Sequence, residues 1–315
     1  MPKISYSSSG VHLGAAYDIL KTVAKTSGEP VQYFASVVET GGGRRLAFSA
    51  DGVGTKIELL AKLKLDWISG WDCVAMNAND LLCVGAKPLW FLDYYAQGKL
   101  DKKVFGEVIR GMNKALGEIG GKLIGGETAE LPGFFASPGA YDVGGFLVGE
   151  IAPGIRLGPE RVKPGDLLIG ISSSGPHSNG FSLIRKAVSF AEIKKRAKTM
   201  LAPTRLYHAD VYPFLADPQL GQAIHSLAHI TGGGFKEKMP RAINQDCRAV
   251  FYPESWNVPP IFGYLKKKTG LKDQELLGVF NMGIGFVLIA DPTARQKILS
   301  RLGSEARVIG EIKLR

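Results

Sequence analysis

The sequence predicts a two-domain protein in which strands and helices are mixed. Three observations carry that expectation. The chain has 315 residues, more than one hydrophobic core usually holds, because single-core domains stop growing at roughly 250. Apolar patterns of period two and period 3.6 follow one another along both halves. Between Ala152 and Pro164 both patterns break into proline, glycine and charge, which puts residues 1–153 in one domain and 154–315 in the other.

Residues 33–39 and 45–50 read as strands around the turn Thr40, Gly41, Gly42 and Gly43, with Leu46, Phe48 and Ala50 alternating against polar or small neighbours. The second strand runs into Asp51-Gly52-Val53-Gly54-Thr55-Lys56. Val74, Ala78, Leu81 and Leu82 then recur at helical spacing, Gly85 ends the helix and Pro88 follows. Asn77, Asn79 and Asp80 fall within that helix. Residues 89–95 read as a buried strand, and Val104, Phe105, Val108, Ile109, Met112, Leu116 and Ile119 as one helical stripe capped by Asp101 and closed by Gly120 and Gly121. A short strand, 122–124, leads into a loop at Gly125-Gly126-Glu127-Thr128, and 141–151 forms another strand. In the second half a strand at 166–172 meets a loop, and a helix from Phe181 carries Ile184, Ala187, Val188 and Ala191 on one face. Residues 278–289 read as a buried, glycine-containing strand.

Composition excludes several classes. No apolar run reaches the roughly 20 residues that span a bilayer, so no membrane partner is expected. Residues 1–10 are polar and serine-rich rather than basic and then apolar, which predicts a cytoplasmic protein. Cys73, Cys83 and Cys247 lack C-x-x-C spacing and read as core thiols in a reducing compartment. The net charge of +10 is dispersed and no nucleic-acid motif accompanies it, so it reads as a solvated basic surface that steers phosphorylated substrates.

The chemistry-bearing residues lie in three glycine-rich segments, where missing side chains let backbone N–H groups approach an anion. In the first, Asp51 points to Mg²⁺, and Thr55 and Lys56 to phosphate oxygens; a surface turn is the plainer reading. The G-x-x-x-x-G-K spacing of a Walker A loop is absent. Asp80, beside Asn79 on an apolar helix, is costly to bury unless paired or metal-bound, or else it faces solvent. Glu127, after Gly125 and Gly126, offers a third oxygen donor. The third segment, residues 172–180, reads S-S-S-G-P-H-S-N-G ahead of a helix, a setting that favours phosphate. His177 there is a candidate general acid or base, or equally a residue that holds the loop. His225 and His229 lack an H-E-x-x-H acid and read as structural, and Gly232, Gly233 and Gly234 as a tight turn or a ligand loop.

Taken in order, D-G-V-G-T-K at Asp51, M-N-A-N-D at Met76, F-L-D-Y-Y-A-Q-G-K-L at Phe91, G-G-E-T-A-E-L-P-G at Gly125 and Y-D-V-G-G-F-L-V-G at Tyr141 resemble the phosphoribosylformylglycinamidine cyclo-ligase family. S-S-G-P-H-S-N-G-F-S-L-I-R-K at Ser173, H-I-T-G-G-G-F at His229 and F-N-M-G-I-G-F at Phe280 extend the resemblance over nearly the whole chain. Selenophosphate synthetase, thiamine-monophosphate kinase, a hydrogenase maturation factor and the synthetase-amidotransferase of the preceding purine step share looser forms of the first loops. The stretch between Pro30 and Leu46 and the region 194–204 are shorter than the family pattern.

The resemblance implies an α/β (α+β), PurM-like protomer whose N-terminal sheet closes a β-barrel across a homodimer, with ATP near that interface. It implies Asp51, Asp80 and Glu127 as the Mg²⁺ and triphosphate group, and Gly52, Gly54, Thr55, Lys56, Asn79, Gly125 and Gly126 around the nucleotide. His177, Ser178, Asn179 and Gly180 become the substrate-side loop. The implied chemistry is ATP-driven closure of a formylglycinamidine ribonucleotide to an aminoimidazole ribonucleotide, with His177, Lys56 and Asp80 as its catalytic residues. Two rivals stand beside it: a small-molecule kinase of the same superfamily, and an ATP-binding scaffold without catalysis.

Overall fold

In the computed structural model, residues 33–315 are described, together with Ile19, Thr22, Lys25 and Thr26; the reading of residues 1–10 lies outside them. The strands are β1 (Ser36–Thr40), β2 (Arg44–Gly52), β3 (Ala86–Gln97), β4 (Lys122–Glu130), β5 (Tyr141–Ile151), β6 (Leu167–Ser172), β7 (Ile224–His229), β8 (Cys247–Phe251), β9 (Ile284–Ala290) and β10 (Ala306–Leu314). The helices are α1 (Lys56–Lys62), α2 (Asp66–Cys83), α3 (Lys102–Ile119), α4 (Phe181–Ala187), α5 (Phe190–Lys195), α6 (Ala197–Met200), α7 (His208–Ala216), α8 (Pro218–Ala223), α9 (Gly234–Ala242), α10 (Pro260–Thr269), α11 (Asp273–Leu276) and α12 (Arg295–Leu302).

Two five-stranded sheets result, in the orders β1-β2-β5-β3-β4 and β7-β9-β6-β10-β8. All neighbours are antiparallel except β3 and β4, whose parallel pairing needs the crossover that α3 supplies. Asp101 caps α3 through the N–H groups of Lys103 and Val104, and Gly120, at φ 71°, closes it. α2 lies across β2, β3 and β5, crosses α3, and reaches β7 of the second sheet. Its close crossing with α3 depends on Gly70 and Gly111, where a Cβ would overlap the backbone of Val108 and Trp67 respectively.

Three expectations change. β4 continues through Gly125, Gly126, Glu127 and Thr128, which pair with Leu92, Asp93, Tyr94 and Tyr95, so this segment is a strand rather than a loop. The helix from Phe181 stops at Ala187, because Ser189 and Glu192 form a capping box that starts α5, and Ala191 is exposed. Residues 278–283 precede β9 as turns. The cysteines are free and buried, as expected of core thiols. No helix among the described residues is long and apolar enough to cross a membrane.

The first sheet is apolar on both faces. Ala47, Phe91, Tyr95, Val143 and Leu147 pack under the helices. On the other face Leu46, Phe48, Phe146, Trp90, Leu92 and Tyr94 stand with no helix over them among the described residues, Trp90 44% and Tyr94 47% exposed. The period-two pattern at Leu46, Phe48 and Ala50 thus marks the uncovered face, not the one its own helices bury.

Candidate functional site

α2 supplies the polar groups that join the two halves. Along one buried helix, Asp72, Asn77, Asn79 and Asp80 each find a partner, because an unmatched buried polar group costs ~1–3 kcal/mol. Asn77 takes the Ser49 hydroxyl proton at 3.1 Å and donates to the Asp51 carbonyl at 3.1 Å, which fixes the end of β2. One turn on, Asp80 is held by Nδ1 of His229 at 2.9 Å. His229 is fully buried, and Asn79 Nδ2 lies 3.4 Å from its Nε2, so Nδ1 carries the proton donated to Asp80.

Asp51 and Asp80 therefore meet where β2 ends against α2. Burial, and next the charge of Asp80, push the Asp51 carboxyl up to about 6; the Gly52 N–H, 2.7 Å away, and Lys238 oppose that shift. Lys238 sits in α9, 5.8 Å over the Phe34 ring. Burial draws its ammonium below the ordinary lysine range, while Asp80 and, more weakly, Asp51 pull the other way. Two carboxylates, an oriented histidine and a lysine thus share one half-buried corner. A cleft of ≈ 610 Å³ is lined by Gly54, Thr55, Ser137, Tyr141, Asp142 and Arg185, a size suited to a small ligand.

The structure corrects other candidates. Lys56 does not face that cleft: its ammonium is fully buried, 2.6 Å from Asp72 and 2.8 Å from the Ala202 carbonyl, with Phe181 packed on it. Asn79 is also buried, donating to the Arg205 carbonyl at 2.9 Å and accepting the Tyr207 N–H at 3.1 Å, so it ties the halves together. Gly125 and Gly126 belong to β4, and Gly126 is required there because a Cβ would overlap Asp93. Glu127 is exposed on that edge strand, and no group of three acidic, histidine or cysteine side chains among the described residues encloses a metal. Thr55 is exposed and hydrogen-bonds Ser182 at 3.1 Å, joining the first segment to the first turn of α4.

His177 is fully buried at φ 60°, a backbone region few side chains adopt. Its Nε2 accepts the Ser174 N–H at 3.3 Å, and burial, then His229, Lys56 and Arg205, hold its pKa well below 6.5. The ring is therefore neutral here, with Nε2 turned to the backbone of its own loop. Ser178 lies 3.3 Å from the Thr204 hydroxyl, Asn179 is buried, and Gly180, at φ 75°, opens α4 with Phe280 where a Cβ would stand. His229 and Lys238 escaped sequence reasoning as site residues. Their signal was the H-I-T-G-G-G-F string running into a lysine-bearing helix.

Residues 34–151 match the model of the AIR synthase related protein N-terminal domain, and residues 163–314 match that of its C-terminal domain. Phosphoribosylformylglycinamidine cyclo-ligase of Clostridium kluyveri is 39% identical over 99% of this chain and 98% of its own. Those of Clostridium tetani (40%; 98% and 97%) and Alkaliphilus metalliredigens (41%; 85% and 80%) agree. The chain belongs to the phosphoribosylformylglycinamidine cyclo-ligase family. Its two-domain, PurM-like fold recurs in solved structures of much lower identity. Hydrogenase maturation protein HypE in its complex with HypF matches at TM-score 0.69 and 18% identity, over 94% of this chain and 93% of that one. HypE in complex with ATP matches at 0.65 and 18%, over 88% and 78%. The ThiL complex with AMPPCP and TMP matches at 0.65 and 14%, over 95% and 91%. At such identity these structures show the fold alone.

Proposed function

We infer that this chain is an ATP-dependent ligase of purine biosynthesis that closes formylglycinamidine ribonucleotide to 5-aminoimidazole ribonucleotide, releasing ADP and phosphate. The observation that carries it is 39–41% identity to cyclo-ligases, two of them aligned over at least 97% of both chains. The kinase reading rests on fold likeness at 14–15% identity and is the weaker.

The amide oxygen of the substrate is a poor leaving group. ATP transfers its γ-phosphoryl group to that oxygen, the amidine nitrogen attacks the same carbon, and phosphate departs as the ring forms, with a proton lost from nitrogen. Asp51 and Asp80 would hold Mg²⁺: burial, and next their mutual repulsion, raise Asp51, and hard carboxylate oxygens, one or two carboxylates per nucleotide-bound ion, suit that cation. When bound, Mg²⁺ supplies charge neutralisation along the phosphates. His229 keeps Asp80 oriented, Lys238 adds positive charge, the Gly52 N–H holds the Asp51 carboxylate, and Gly54 and Thr55 border the cleft. Lys56 and Asn79 act at a distance by holding residues 202–207 against α2. Placing the two reacting atoms in contact is worth roughly 7–11 kcal/mol in well-oriented systems, which makes alignment of the halves the chief demand on the fold.

The uncovered aromatic face of the first sheet supports a homodimer closed through that face, a patch too apolar to leave in water. In such a dimer the exposed Glu127 belongs to the shared surface. Three buried free thiols support a cytoplasmic setting. The boundary at residues 153 and 154 falls between the end of β5 and the start of β6. Product analysis tests the reaction: with the amidine and Mg·ATP, a diazo-coupling aminoimidazole, ADP and free phosphate should form in equal amounts. ADP with a phosphorylated, uncyclised product would instead establish a kinase.

A further inference from the structure

Two lysines of α9 point opposite ways. Residues two apart on a helix stand about 200° apart around its axis, so with Lys238 turned to Asp80 and Asp51, Lys236 faces the far side. There it lines a pocket of ≈ 490 Å³, a volume typical of small-molecule sites, to which neither aspartate contributes. Phe235, Phe251, Trp256, Leu277 and Met282 supply apolar walls, and the exposed Val258 stands at the mouth.

The walls are fixed in place. Phe235 is buried with a ring on either hand, 5.1 Å from Phe251 edge-on and 6.3 Å from Trp256. The Trp256 indole N–H donates to the Met282 carbonyl at 3.1 Å, and Met282 itself takes φ 49°, a region that side chains rarely adopt. Rings held this way favour a flat partner that stacks on them or meets them edge-on. The rim sets the sign of its charge. Of the two charged residues that line the pocket, Asp273 already pairs with Lys266 of α10 at 2.6 Å, whereas Lys236 makes no ion pair among the described residues. Its stem runs along Gly278, with Cδ 3.8 Å from where a Cβ would be, and its exposed ammonium is left for a ligand.

We propose that this pocket binds a planar aromatic monoanion, its rings among Phe235, Phe251 and Trp256 and its negative group on the Lys236 ammonium. Every lining residue lies between 235 and 282, so the second domain builds the site alone. α9 then serves two sites, one on each side, and this one stands whether or not the ring-closure reading does.

Fluorescence titration of the full-length protein with anilinonaphthalene sulfonate, and with phenylnaphthylamine, which lacks the sulfonate, tests the site. Wild type should bind both, and a non-hydrolysable ATP analogue with Mg²⁺ should displace neither. Lys236→Gln, a change at an exposed position, should weaken the sulfonate about tenfold or more, the worth of one hydrogen bond to a charged group, and leave the uncharged probe unaffected. Val258→Trp, also at an exposed position, fills the mouth and should weaken both. Wild type that binds neither probe, or Lys236→Gln that binds the sulfonate like wild type, overturns the proposal. So does Lys236→Gln that weakens both probes alike, which would mean a disturbed wall rather than a lost charge. Displacement by the ATP analogue would put the probes in the nucleotide's corner, and Val258→Trp without effect would put them on another apolar surface; either result overturns it too.

Discussion

Replacing Lys56 by Met separates the motif's usual phosphate reading from what the fold does with it. Both Lys56 and Asp72 are 0% exposed, and their charged atoms lie 2.6 Å apart. Removing the lysine leaves a buried carboxylate whose remaining donor is the Thr204 N–H at 2.7 Å. Breaking a buried pair from one side costs about 3–5 kcal/mol, which for domains of this size lowers the melting temperature by about 6–20 °C. Thermal and urea unfolding followed by circular dichroism read that loss. Lys56→Met/Asp72→Asn, which removes the orphaned charge, should regain a large part of it. Affinity for a Mg·ATP analogue should fall far less than stability does. A Lys56→Met protein as stable as wild type that has lost nucleotide binding would refute the reasoning and return the lysine to the phosphates.

Three other outcomes follow. Asp51 titrates near 6 when folded against 3.8 when free, so the native state holds the extra proton between those values; stability without ligand should fall as pH rises from about 4 to 6, by up to about 3 kcal/mol, and Asp51→Asn should flatten that slope in urea midpoints. An unchanged slope would mean the carboxyl is not held against Asp80. His177→Asn, whose side chain tolerates positive φ, should keep the inflections of kcat between pH 6 and 8, because the wild-type ring stays neutral there; losing one would restore the acid–base role. Trp90→Glu on the uncovered sheet face should weaken dimerisation by about a hundredfold or more in sedimentation equilibrium, and an unaltered dimer would show that the subunits meet elsewhere.

Local rules made most elements legible. Asp101 and Gly120 marked both ends of α3, and β5 occupies the run read as a strand, because caps and alternation are decided by neighbours. β4 was missed past Ile124 for the opposite reason: consecutive glycines signal a turn locally, and only the parallel partner Asp93, crowding Gly126, makes them strand residues. The break at Val188 was readable, since Ser189 and Glu192 stand at capping-box spacing, yet the apolar stripe outweighed it. At the site, Asp51 and Asp80 were legible as an acidic pair near a turn. Their neighbours were not. His229 meets Asp80 across 149 residues, and Lys56 meets Asp72 inside the core rather than facing out, because which carboxylate a lysine finds depends on packing that motif spacing does not encode.

The most direct test is calorimetric titration of a non-hydrolysable ATP analogue with Mg²⁺ into wild type, Asp51→Asn and Asp80→Asn. If one magnesium joins both side chains to the phosphate chain, each variant should lose at least about tenfold in affinity with Mg²⁺ present, the two variants should resemble each other without it, and both should remain folded. Wild-type affinity and the same magnesium dependence in both variants would contradict the assignment of this corner to the nucleotide.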